Sequence, residues 1–393
     1  MTAYAQVTLT GNVDVGYRMT DVSNISGAKN SKLITHNNAS TSTIGIAAVE
    51  DLGKGMKASF SGNADFAPSK NALQNSSTTN NGYSYSGPFF NSQMFVGLSG
   101  DFGDVKLGVP NSPALSAANM SNPFGTALGG GYSDTFGRLG TNASVGINGY
   151  AGQATTARII RHERSMIYTT PKMGGLSAQY EVSFKNGNAT GTTSSATAEG
   201  TTYASNNNGL SSLSVIYNQG PLNAMYYNGE LSGPANAAAG TISSAGALTA
   251  NKILAGTKVK YTIASANYTV GAATAYVGMT TTKSNQGNTA SSAYTDVENS
   301  KSTNFALKYA VSPQLDVMLN RVSRTSGLTT DLVVLPNGNA TLTGMGADYK
   351  LSKMTSAYYR YEKAGNVVVS GSGATSNSYG NQTIQAAGLQ VKF

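Results

Sequence analysis

Side chains able to do chemistry are sparse in this chain. It has 393 residues, two His and no Cys or Trp. His162-Glu163-Arg164-Ser165 contains the residue types of a hydrolytic centre, a base, an acid and a nucleophile. On a strand, however, successive side chains point to opposite faces, so His162 and Ser165 diverge. Both His162 and the loop residue His36 are therefore expected to be structural or solvent-facing. No glycine-rich phosphate loop and no metal-ligand spacing occurs, so no catalytic residue, cofactor or metal is expected. What remains is a set of charges at even spacing. The bases are Arg18, Lys57, Lys106, Arg161, Lys258, Lys260, Lys308, Lys350, Arg360 and Lys392, and the acids are Asp14, Asp65, Asp104, Glu163, Glu181, Asp316 and Asp348. Charges on one face of a wall can set an electric field that orients dipolar solutes and selects ions.

The elements that carry these charges are strands. In Gln6 to Arg18, Val7, Leu9, Gly11, Val13, Val15 and Tyr17 alternate with Gln6, Thr8, Thr10, Asn12, Asp14, Gly16 and Arg18. The same period of two returns around Met56–Phe66, Leu176–Phe184, Phe305–Val311 and Leu389–Phe393. Seven short turns recur, near Asp51-Leu52-Gly53, Asp101-Phe102-Gly103, Pro171 to Gly174, Gln219-Gly220-Pro221, Val270-Gly271, Ser312-Pro313 and Leu351-Ser352-Lys353. Between them lie eight long stretches rich in Asn, Ser, Thr and Gly, roughly 19–40, 67–91, 110–157, 186–209, 232–252, 283–301, 325–341 and 364–381. Those connections join sixteen strands, and an even number returns both termini to the short-turn side, where the first and last strands can pair. One segment breaks the rhythm. Val259, Tyr261 and Ile263 are odd while Ala266 and Tyr268 are even, which predicts a bulge between them.

Composition says which solvent the two faces meet. Charged residues make up 11% of the chain and mean hydropathy is −0.20, against about 25% charged in ordinary soluble domains. No run of about 20 apolar residues is present to form a membrane helix. If the polar set met lipid, Lys57, Asp65, Lys185, Glu181 and Lys392 would sit in hydrocarbon, at about 2–4 kcal/mol for each basic residue near the midplane. The apolar set must face outward. The fold class is therefore all-β, a transmembrane antiparallel β-barrel of 16 strands, with a bore too wide for side chains to fill. Recurrent tyrosines, among them Tyr168, Tyr217, Tyr261, Tyr268, Tyr349, Tyr359 and Tyr361, suit an interfacial girdle. Ala3-Tyr4-Ala5 reads as the end of a secretory signal, so residues 1–5 are expected to be its remnant and 6–393 the barrel.

At the level of motifs, the chain resembles the general porins of β-proteobacteria. The resemblance rests on Phe90-Asn91 through Gly108, on Asn122-Pro123-Phe124-Gly125-Thr126, on Ser165-Met166-Ile167-Tyr168 with Pro171, and on the ending Ala387 to Phe393. Glu50-Asp51-Leu52-Gly53 and Ala347 to Lys353 fit the same pattern. It implies a homotrimer in the outer membrane with periplasmic termini, long external loops and short periplasmic turns. It also implies a third loop folded into the bore as a constriction, and a C-terminal Phe393 read by the barrel-assembly machinery.

Residues 110–157 are the longest stretch without a strand signal and carry only two charges, Asp134 and Arg138. Such a loop in a compact protein is expected to have a function. The constriction is expected to combine Arg161, Asp134, Arg138, Glu163, Lys106 and Arg18. Arg161 is the leading base, because relatives carry a wall Arg at its position. Relatives often have Arg or Lys where this chain has Thr43, Ala47, Ser92 and Val109, and an acid where it has Asn122. The net charge of +8 favours anions weakly. The expected function is passive diffusion of small hydrophilic solutes and ions. The alternative is a substrate-specific channel for a small organic anion or a sugar, with lumenal tyrosines such as Tyr358 as its basis. Expected partners are membrane lipid and lipopolysaccharide, not nucleic acid.

Overall fold

The computed structural model describes residues 6–23, 30–70, 72–73, 89–131, 161–162, 164–184, 209–232, 258–284, 299–326, 339–369 and 378–393. The expected signal remnant at 1–5 lies outside the described residues, as do Asp134, Arg138 and Glu163. The chain runs β1 (Gln6–Ser23), β2 (Ser31–His36), β3 (Thr43–Gly53), β4 (Met56–Ala67), β5 (Ala72–Leu73), β6 (Met94–Gly100) and β7 (Gly103–Val109). A helix, α1 (Pro113–Met120), comes next, followed by β8 (Ser165–Thr169), β9 (Leu176–Ser183), β10 (Gly209–Gln219), β11 (Leu222–Ser232) and β12 (Lys258–Val270). The rest is β13 (Ala273–Ser284), β14 (Asn299–Ala310), β15 (Leu315–Ser326), β16 (Asn339–Lys350), β17 (Thr355–Val369) and β18 (Ser378–Lys392).

Every strand pairing is antiparallel, and β1 pairs with β18 from Asn12↔Lys392 to Ser23↔Asn381. That seam closes the sheet into a barrel and removes both edges. β2 and β3 share one place in the wall. β1 pairs with β2 over Val15 to Thr20 and with β3 over Gln6 to Asn12. β5 is a stub on the end of β4. Sixteen wall positions result, as the alternation of turns predicts. All seven short turns are present, and Gly220 and Gly271 take the left-handed φ of +60° and +55° that such tight reversals require. The stretch 19–40, expected as one loop, is instead partly wall, because β1 continues to Ser23 and β2 returns beside it.

Burial is inverted relative to a soluble protein. Val7, Phe305 and Leu213 on the outer face are 67%, 65% and 54% exposed, whereas Asp14 and Glu181 inside are fully buried. Tyr168, Tyr217, Tyr268, Tyr309 and Tyr349 all lie on the outer face near the short-turn ends of their strands, which fits an interfacial girdle. At the seam, the backbone N–H of Gly11 donates to the Phe393 carbonyl at 2.8 Å, and the Phe393 ring covers the place where a Gly11 side chain would stand.

The bulge expected in β12 does not exist. Its register runs unbroken from Leu222↔Tyr268 to Ser232↔Lys258. Tyr261 and Ile263 face inward and are buried, while Ala264, Ala266 and Tyr268 face outward. The physical reason lies in the bore. Tyr261 and Ile263 pack against α1 with Leu210, Met225 and Tyr227, so their apolar character answers a helix, not lipid. Tyr261 therefore leaves the girdle, and Lys260, expected in the bore, stands on the outer face. The side chains of Lys258 and Val259 lie outside the described residues.

The two faces should respond oppositely to charge. Val96→Arg on the outer face of β6 is expected to cost about 2–4 kcal/mol, and Ser99→Arg on the bore face of the same strand about 0.5 kcal/mol or less. Urea titration of the refolded protein in lipid bilayers measures both; equal losses would refute the assignment of faces.

Candidate functional site

The chain leaves the wall after β7 and turns inward. Ser112 caps α1, its Oγ accepting the Leu115 N–H at 3.2 Å, and Pro113 opens the first turn. Ala114, Leu115, Ala117 and Ala118 are buried against β11 and β12. The third long connection is thus not structureless: its first part is a helix laid on the inner wall. At the helix end the Ser121 Oγ and Asn122 Nδ2 both donate to the Ala118 carbonyl, at 2.7 and 3.1 Å. Asn122 Oδ1 accepts the Phe124 N–H at 2.9 Å, so Asn122 builds a turn rather than presenting a polar group to solute. Pro123 follows, Phe124 is buried, and Gly125 has φ +59°.

A backbone crossing the bore carries polar groups that need partners. The wall supplies them. Asn267, Asn304 and Asn320 donate their amides to the carbonyls of Met120, Ser121 and Gly130, at 3.1, 2.5 and 2.9 Å. Glu362 accepts the N–H groups of Gly129 and Gly130 at 2.9 and 3.3 Å. Asn38, in the break between β2 and β3, accepts the Leu128 N–H through its carbonyl at 3.1 Å. The Arg360 guanidinium lies 5.6 Å from the Phe124 ring centre. Where the segment touches the wall there is no room for a side chain. A Cβ on Gly344 would overlap the carbonyl of Gly129, and one on Gly346 would meet the Phe124 ring at 2.8 Å. Residues 110–131 therefore run along the inner wall from β7 to β18, the expected place for a constriction. The remainder of the expected loop, 132–157, lies outside the described residues.

The expected charges divide into two groups. Arg161 Nε donates to Asn111 Oδ1 at 2.6 Å where the chain rejoins the wall. Lys106 and Asn111 line one cavity of about 260 Å³ with Gln93, Phe95, Ser116 and Gln179. Asn111 is thus a neighbour that Arg161 and Lys106 share at the foot of the loop. Arg18 sits elsewhere, on the bore face of β1 between Leu33 and Ala386.

Four acids of the bore, Asp14, Glu181, Asp316 and Glu362, are withdrawn, whereas Asp104 and Asp348 keep 31% and 30% of their side chains exposed. Asp14 accepts the N–H groups of Ala39 and Ser40 at 2.6 and 2.9 Å and the Tyr358 hydroxyl at 2.5 Å. Glu181 lies 3.1 Å from His162 Nδ1 and accepts the Ser212 hydroxyl at 3.2 Å. The carboxylate stands between serine and histidine, so this trio lacks the serine–histidine contact of a hydrolytic triad. Asp316 pairs with Lys308 at 3.1 Å and Lys350 at 3.4 Å, and Asp348 pairs with Arg360 at 2.8 Å. Asp14, Glu181, Asp316 and Glu362 are each at most 6% exposed. The side chains of Lys106, Lys308 and Lys350 remain 37%, 38% and 51% exposed.

Asn267, Asn304, Asn320 and Glu362 were not singled out by the sequence. A signal for them existed, since Asn is depleted in strands and these three repeat on the bore side. Glu362 shares a strand face with Arg360.

A closed barrel with a polar bore and an inward-folded third connection defines a membrane channel of the bacterial type. The chain belongs to the Gram-negative porin family: that family's model matches residues 1–367, and the family places it in the outer membrane. Outer membrane porin protein 32 of Delftia acidovorans is 32% identical over 162 residues, which cover 40% of this chain and 38% of that relative's length. The fold is similar to an anion-selective porin from Comamonas acidovorans, with a TM-score of 0.71, 20% identity, and 99% and 100% of the two chains covered. It is also similar to the outer-membrane protein OmpT of Vibrio cholerae, with a TM-score of 0.60, 14% identity, and 99% and 98% covered.

Removing an anchor should free the loop. Glu362→Ala and Gly344→Leu are both expected to enlarge single-channel conductance and its noise in planar bilayers, while the barrel remains folded. Unchanged conductance in both would mean that this segment does not set the bore.

Proposed function

We propose that this protein is a general-diffusion porin that passes small hydrophilic solutes and prefers anions weakly. One observation carries the preference. Buried bore acids are satisfied by backbone N–H groups, the His162 ring or lysines, while Lys106, Lys308 and Lys350 reach into the water. At these positions a solute on the bore axis therefore meets bases first, in a low-dielectric wall that focuses their field. The anion-selective Comamonas porin of similar fold supports this reading. Arg161 and Lys106 at the foot of the loop are the leading constriction bases, with Arg18 on the wall beyond; Asp134, Arg138 and Glu163 belong to the same proposal. No aromatic strip for sugar is needed, since Tyr358 spends its hydroxyl on Asp14 and accepts the Asn38 amide at 3.1 Å.

The unit in the membrane is a homotrimer, as in the trimer form of Vibrio cholerae OmpT. An outward aromatic cluster supports a subunit contact on that side. Phe90 covers Gly62 and lies 6.0 Å from Phe60 and 5.0 Å from Phe89. Phe393, at the seam, serves as the signal to the assembly machinery, and lipid with lipopolysaccharide surrounds the outer face.

In a potassium chloride gradient across planar bilayers, the reversal potential is expected to show anion preference, with openings in threes. Lys308→Glu with Lys350→Glu, and separately Arg161→Glu, should move it toward cations. Cation preference in the unaltered protein, or silent membranes, would overturn the proposal.

A further inference from the structure

Between β2 and β3 the wall steps inward. Residues 37–42, Asn-Asn-Ala-Ser-Thr-Ser, stand against only Val13 and Asp14 of β1, because Val15 pairs with His36 and Asn12 with Thr43. An ordinary bulge adds a single residue; this excursion adds several. Asn and Ser suit turns better than strands. Asn37 takes the left-handed φ of +58° that turns the chain out of the ladder. Asp14 lies at the middle of β1, so the step falls at mid-height in the wall.

The excursion is held on the bore side. Asn37 Oδ1 accepts the Ser42 N–H at 2.6 Å and closes its base. The Ser42 hydroxyl accepts the Asp14 N–H at 3.0 Å, and the Asp14 carboxylate accepts the N–H groups of Ala39 and Ser40. The Asn12 amide donates to the Thr41 carbonyl at 2.6 Å. Tyr358 adds a strap from β17. It crosses β18 where a Cβ on Gly388 would overlap its hydroxyl, donates to Asp14 and accepts the Asn38 amide at 3.1 Å. On the outer side the same backbone would lie in hydrocarbon without these partners. The third connection meets the excursion here. The Leu128 N–H donates to the Asn38 carbonyl at 3.1 Å, and the Thr41 and Thr126 hydroxyl oxygens are 3.4 Å apart.

We propose that residues 37–42 are a second, fixed arm of the aperture, with Thr41 as a residue that limits solute size. The inference rests on the channel reading above. The third connection lines the wall from β7 round to β18, and the excursion continues that inner layer past the seam to β3. The arm carries no charged residue. It therefore narrows the passage by bulk and leaves the field of the lysines as it is. Ala39, Ser40 and Thr41 are half-buried, with part of each surface left to the bore.

The test joins the arms and then thickens one of them. Thr41→Cys with Thr126→Cys, treated with copper phenanthroline, should form a disulfide, read by thiol titration and intact mass, since hydroxyls this close put the Cβ atoms within disulfide reach. Thr41→Cys alone is folded first and then modified with a bulky neutral thiol reagent, so that folding is not at stake. The modification should slow liposome swelling by neutral trisaccharides at least about twofold more than by monosaccharides and leave the reversal potential unchanged. Absence of the disulfide would overturn the proposal, as would failure of the reagent to react at position 41. Equal effects on small and large sugars, or a shifted reversal potential, would also overturn it. Silent bilayers from the unaltered protein would remove the channel reading and this one with it. A conducting protein whose sugar passage ignores the modification would remove this one alone.

Discussion

A backbone in hydrocarbon has no water to satisfy its N–H and C=O groups. That constraint governs the rest of this structure. The sheet must close on itself, and the β1–β18 seam does so over twelve residue pairs. Once closed, each strand separates its side chains into an oil-facing and a water-facing set with no third choice. Exposed Phe305 and buried Asp14 are two results of one rule.

The same accounting continues inside. A segment that leaves the wall and enters the bore takes its own polar backbone with it. Wall asparagines and Glu362 satisfy that backbone, and wall glycines make space for it. The residues that hold this segment to the wall are thus mostly uncharged or neutralised. In the proposed function, selectivity is left to bases that reach past them. Burying Asp14 among backbone donors and Asp316 behind two lysines gives a positive lining without a large excess of basic residues.

Much of the architecture was readable from residue types alone, because a period of two with alternating short and long connections has few solutions. The failure in β12 is instructive. Apolar Tyr261 and Ile263 were read as lipid-facing, since parity analysis assumes that only the outside is apolar. A helix pressed on the inner wall breaks that assumption, and nothing local in β12 announces the helix. The site was less legible than the fold for a related reason. Asn111, which the sequence did not single out, accepts from Arg161 and lines a cavity with Lys106. The pairing of Asp14 with Tyr358, 344 positions apart in the chain, follows from ring closure and has no short-range signature. Asn122 was legible as a member of a motif, not as the turn-former that its hydrogen bonds make it.

The chain contains no cysteine, so the alternation can be probed one residue at a time. The decisive measurement introduces single cysteines and treats the protein in lipid bilayers with a charged, membrane-impermeant thiol reagent while current is recorded. Cysteine at Thr274, Lys308 or Ala310 should react rapidly and change the conductance. Cysteine at Val277, Phe305 or Leu307 should remain unmodified. Equal reactivity at neighbouring positions, or reaction confined to the second set, would contradict the division of each strand between oil and water on which the account stands.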